Sequence, residues 1–166
     1  MNEAASAAAA CASDTGEIGT VPRAGVESAL CPASRTKGSA VDLITVKALL
    51  KSSALRRLDG KSYRFCPERD CDVVYFDWDA DSIFDKGDLA VRVGQKETED
   101  PIPLCYCFDF SLADLRTRGA DIPALITAEV EAGHCACEVR NPQGFCCLGN
   151  LSRALKGIEP ASAPRG

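Results

Sequence analysis

The chain has 166 residues, 46% of them apolar, and a formal net charge of -5. That length holds one domain of ordinary size or two small modules, and with acids in excess and no basic run the sequence lacks the footprint of a nucleic-acid binder. No stretch approaches the ~18 apolar residues of a membrane span, so membrane insertion is not expected either.

Residues 1–29 are mainly Ala, Ser, Gly, Thr and acids without periodicity, and the expectation is a disordered leader. Cys11 lies in it and reads as an uninvolved thiol. Ten cysteines pose a choice between a disulfide scaffold and metal binding. Glu3 stands where a secretory signal needs positive charge, and the apolar run beside it is nearly all alanine. The expected location is therefore a reducing cytoplasm, where thiols are free to ligate metal.

Order is expected from Cys31. Val41, Leu43 and Ile44 predict a short strand, and Val46, Leu49, Leu50, Ala54, Leu55 and Leu58 then recur at helical spacing until Asp59-Gly60. Tyr63-Arg64-Phe65-Cys66, a turn at Pro67-Glu68-Arg69-Asp70, and a run from Cys71 to Phe76 read as strand, knuckle, strand. Further strands over residues 82–84 and 90–93 complete a small antiparallel sheet with the helix on one face. The acids Asp77, Asp79, Asp81, Asp85 and Asp88 lack the Gly and terminal Glu offsets of a calcium loop and read as a solvated turn. Residues 30–98 form the predicted small α/β zinc-type module. A polar stretch over residues 94–100, stiffened by Pro101 and Pro103, is read as the boundary.

Residues 99–158 form the predicted helical module. Ser111 with Asp114 is a capping box over Leu112 and Leu115, closed by Gly119. Asp121 is read as the cap of a second helix bearing Ile122, Leu125, Ile126 and Val130 on one face, with Gly133 past its end. Leu148, Leu151 and Leu155 mark a third helix from about Cys147, and residues 159–166 are read as a flexible tail. The fold class is thus α+β, with no internal repeat.

Besides Cys105-Tyr106-Cys107, the chain carries Cys135 and Cys137, too close in extended chain for an easy disulfide, and the neighbours Cys146 and Cys147, whose disulfide needs a distorted peptide. A polynuclear metal centre suits them better, with two thiolates from C-x-C and two from the distal stretch. Spacing alone does not choose between Cys135 and Cys137, or between Cys146 and Cys147. Cys66 and Cys71, with four residues between them across the knuckle, are near the spacing of structural zinc sites. His134, the single histidine, is read as a loop residue beside the cysteines rather than a ligand. No Ser-His-Asp arrangement, Walker loop or G-x-G-x-x-G is present.

Glu99 opens E-D-P-I-P-L-C-Y-C-F and Cys135 opens C-A-C-E-V-R-N-P-Q-G-F-C-C-L-G; upstream lie V-D-L-I-T-V-K-A-L-L and F-C-P-E-R-D-C-D-V-V-Y-F. Together these strings resemble the iron-sulfur N-terminal domain of CopZ-type copper chaperones over residues 31–156. The C-terminal part is also similar to the bacterioferritin-associated ferredoxin type of 2Fe-2S domain. The resemblance implies that Cys105, Cys107, Cys137 and Cys147 bind a 2Fe-2S cluster, leaving Cys135 and Cys146 as spare thiols for a soft ion such as copper or for a redox couple. It also implies zinc at Cys31, Cys66 and Cys71. Ser34 stands where the family has the second cysteine of C-P-x-C, which leaves two expectations: water, Asp70, Asp72 or another side chain completes the site, or the site is weak or empty.

The function implied is one-electron transfer in copper handling, reducing Cu(II) to Cu(I) for a separate copper chaperone or copper-exporting ATPase, rather than classical enzyme catalysis. The sequence has no M-x-C-x-x-C loop, and its single methionine is Met1. Two alternatives are a ferredoxin-like carrier or sensor in iron metabolism and a non-redox zinc-binding interaction protein.

Overall fold

The computed structural model of the chain describes residues 30–158; Cys11, the predicted leader and the predicted tail lie outside them. The first part is a four-stranded antiparallel sheet in the order β1-β2-β3-β4, from β1 (Ser39–Val41), β2 (Tyr63–Phe65), β3 (Val73–Asp77) and β4 (Ile83–Asp85). Every residue of β3 is buried, as expected for a strand packed on both faces. A bulge between Val73 and Tyr75 turns the neighbours Val74 and Tyr75 toward one core with Phe65 and Phe84. Val73 and Phe76 face the other way, onto Cys31, Cys66 and Cys71.

The continuous helix predicted over Val46 to Leu58 is instead two short ones, α1 (Leu43–Leu49) and α2 (Ser52–Leu55). Leu50 between them is extended, because the neighbouring backbone is used elsewhere: Lys51 N–H donates to Asp88 O at 2.8 Å and Ala90 N–H to Leu49 O at 2.8 Å. The same pairing replaces the strand predicted over residues 90–93, leaving a single bridge between Leu50 and Leu89. Leu43 and Ile44 open α1 rather than extending β1.

The second part begins with a hairpin that sequence patterning missed, β5 (Pro103–Cys105) with β6 (Phe110–Ser111). Then come α3 (Leu112–Arg118), α4 (Asp121–Glu131), α5 (Cys137–Arg140) and α6 (Leu148–Ile158). The capping box is formed: Asp114 N–H donates to Ser111 Oγ, Ser111 N–H donates to the Asp114 carboxylate, and Gly119 caps the helix end. Ala120, not Asp121, occupies the cap position of α4. Ile122 and Ile126, one turn apart, take its buried stripe with Leu115 and Leu151, while Leu125 faces solvent. No described helix is long and apolar enough to cross a membrane.

The stretch read as the module boundary is closely packed. Gly94 lies so close to Pro103 that a Cβ there would sit 1.9 Å from the Pro103 carbonyl oxygen, and its N–H donates to the Tyr106 hydroxyl, which in turn donates to Arg92 O. Residues 137–144, C-terminal in sequence, pack back on the first part. Thr45 donates to Glu138 O, Tyr75 donates to Pro142 O, and Gly144, at φ 73°, brings the loop against Val41.

Candidate metal centres

The hairpin and the helix starts bring four thiols into one apolar cluster. Cys105 ends β5 and is buried; Cys107 lies on the turn after it and is half-buried; Cys137 opens α5, and Cys147 immediately precedes α6. Cys107 and Cys137 Sγ are 3.7 Å apart. A metal with tetrahedral bonds of ~2.3 Å to sulfur sets its sulfurs about 3.8 Å apart, so this separation suits two corners of one metal. Cys105 and Cys147 are buried in the same cluster, and interaction with Cys147 draws the Cys105 thiol below its ordinary value, helped against burial by the Phe108 and Cys107 amides. The same interaction and burial push Cys147 far up.

Backbone amides are aimed at Cys107 and Cys137 as well. Ala136 N–H donates to Cys107 Sγ at 3.3 Å. Burial pushes Cys137 up, to about 12, although the Cys147 amide works in the opposite direction. N–H donors directed at sulfur stabilise thiolate charge where water is excluded. Four thiols in one apolar cluster, with an amide on Cys107 and Leu115, Ile126 and Leu151 behind, offer a thiolate donor set to a metal.

Cys135 is half-buried and Cys146 exposed, and no hydrogen bond joins them among the described residues. His134 is exposed and pairs through Nδ1 with Glu129 at 2.7 Å. Sequence reasoning missed what orders the loop. Buried Asn141 donates to Phe145 O and accepts from Gln143 N–H, and Asn150 reaches back to Gln143 Oε1 at 2.6 Å. Polar residues between two cysteine pairs were the available signal.

The second centre lies on the outer face of the sheet. Cys31, Cys66 and Cys71 are buried, with their sulfurs all within 4.8 Å of one another and Cys31 and Cys71 at 3.8 Å. No carboxylate joins this group among the described residues. Asp70 is exposed, Asp72 is paired with Lys86 at 2.9 Å, and Glu68 accepts from Thr36. The residue at the remaining side is Ser34, its Oγ 3.4 Å from Cys66 Sγ. Burial raises the Cys31 thiol, but hydrogen bonds from the Ser34 side chain and the Ser34 and Ala33 backbone outweigh it and leave Cys31 below its ordinary value. Cys66 is raised, chiefly by burial. Lys96 was also missed: it is buried, and its ammonium donates to Glu68 O at 2.7 Å and Cys71 O at 3.0 Å, clamping the knuckle.

Residues 28–90 match a family described as a zinc binding domain, of CopZ type. The copper chaperone CopZ of Archaeoglobus fulgidus is 36% identical over 127 residues, covering 74% of this chain; the chain spans 60% of that relative's length. The X-ray structure of the Archaeoglobus fulgidus CopZ N-terminal domain superposes with a TM-score of 0.61 at 35% identity, over 75% of this chain and 95% of that one.

Proposed function

Because the chain belongs to the family of the CopZ N-terminal domain, we propose that it is a metal-binding protein of copper handling that works as a one-electron carrier in the cytoplasm. In this reading residues 30–98 form a zinc-type module around Cys31, Cys66 and Cys71. Residues 99–158 form a helical module whose Cys105, Cys107, Cys137 and Cys147 hold a 2Fe-2S cluster. The observation that carries the reading is the convergence of Cys107 and Cys137, 3.7 Å apart from segments thirty residues apart in sequence, in one buried cluster with Cys105 and Cys147.

When bound, a 2Fe-2S cluster supplies a single electron, enough to convert one Cu(II) into Cu(I). The chain's own residues prepare for that exchange. The amides of Ala136, Cys107 and Phe108 hold negative charge on sulfur, and Leu115, Ile126 and Leu151 keep water from the inner side. Cys107 is the one member of the set that is only half-buried, so its side is where an electron donor or copper approaches. Cu(I), soft and thiophilic, then passes to a copper chaperone or a copper-exporting ATPase.

Anaerobically purified full chain, reconstituted with iron and sulfide, tests this by visible absorption, electron paramagnetic resonance and metal content. Two irons per chain are expected, and mixing the reduced protein with Cu(II) should reoxidise it within the mixing time and yield Cu(I) in equal amount. A colourless product containing only zinc after reconstitution overturns the redox reading in favour of a zinc-binding interaction protein.

A further inference from the structure

We propose that Cys31, Cys66 and Cys71 form a three-thiolate zinc site left open at the Ser34 corner, so that this chain exchanges its zinc rather than locking it into the fold. The inference rests on reading these three cysteines as a zinc site and is independent of the iron-sulfur cluster.

Three corners of a tetrahedron are offered by buried sulfurs all within 4.8 Å of one another, with Cys31 and Cys71 at 3.8 Å, the separation that a single zinc imposes. The fourth is Ser34, whose Oγ lies 3.4 Å from Cys66 Sγ. A neutral hydroxyl is a far weaker zinc donor than a thiolate, and closed structural sites use four strong donors. No carboxylate is placed to substitute among the described residues. Ser34 is also the only one of the four that is not buried, so the weak corner faces solvent and an incoming ligand can attack there.

Lys96 points to the same charge state independently. It is 4% exposed, and its hydrogen-bond partners among the described residues are two carbonyl oxygens on the knuckle, with no carboxylate paired to its charge among those residues. A buried cation without a counter-charge is strongly unfavourable. Three thiolates with one Zn(II) carry a net charge of about -1, which a single lysine neutralises, whereas four thiolates carry about -2.

The test is zinc release from the zinc-loaded full chain to a chromophoric chelator, compared with Ser34→Cys and Ser34→Ala. The wild type should release zinc at least ten-fold faster than Ser34→Cys, and Ser34→Ala should stay as fast as the wild type. Equal rates for wild type and Ser34→Cys, with one zinc held by each, overturn the open corner while leaving the zinc site standing. If Cys66→Ser leaves zinc content unchanged, or if no variant takes up zinc, the metal-site reading itself fails and the proposal with it. Lys96→Met should weaken zinc binding about ten-fold, with Lys96→Arg restoring it. Loss in Lys96→Met of helix and sheet signal by circular dichroism would mark a folding defect, and the Ser34 series then decides alone.

Discussion

The hydroxyl of Tyr75, on the central strand, donates a buried hydrogen bond of 2.9 Å to the carbonyl oxygen of Pro142, in the loop between the two distal cysteine pairs. Sixty-seven residues of chain separate them. Through this contact the sheet against which Cys31, Cys66 and Cys71 pack braces the loop that leads to Cys147. Tyr75→Phe removes the donor and leaves the carbonyl buried without a partner, a loss of about 1–3 kcal/mol. Denaturant unfolding should show this as a lower midpoint with unchanged slope.

Gly94 packs against Pro103 with no room for a side chain. The obstructing atoms are backbone, so Gly94→Ala forces the chain apart where the two parts meet, with an expected loss of about 3 kcal/mol or more. Thermal unfolding of the purified variant measures it. An unchanged midpoint would mean that residues 94–103 can separate freely, contrary to the packing described above.

Ser111 and Asp114 satisfy two amides at the start of α3. Ser111→Ala should destabilise the protein by about 1 kcal/mol. Hydrogen bonds from the Ser111 side chain and backbone hold the Asp114 carboxyl below its usual range. Its contribution is therefore fully present above the ordinary carboxylate pKa and disappears as pH falls through the lowered folded value. Asp114→Asn should accordingly narrow the stability difference between neutral and acidic pH, measured by melting curves at several pH values.

Replacing Cys107, Cys137 or Cys147 by serine should abolish the native cluster signal after reconstitution, whereas Cys11→Ser, Cys135→Ser and Cys146→Ser should retain it. Absorption and electron paramagnetic resonance spectra of the six variants provide the check. The reverse pattern at Cys135 against Cys137, or at Cys146 against Cys147, would exchange the ligand for its neighbour.

What the sequence determined by itself is local. The Ser111-Asp114 cap, the ends of α3 at Gly119 and of α4 just before Gly133, the knuckle between Cys66 and Cys71, and the start of α6 beside Cys147 all follow from interactions within a few residues, which a pattern of residue types records directly. The tertiary structure decided what depends on distant partners. The break at Leu50 exists because residues 88–90 claim the backbone there, and Lys96 is buried because the knuckle carbonyls accept its charge. Cys137 rather than Cys135 faces Cys107 because α5 turns one sulfur inward. Neighbouring cysteines are chemically identical in a sequence, and only the packing of the chain around them makes one buried and the other exposed.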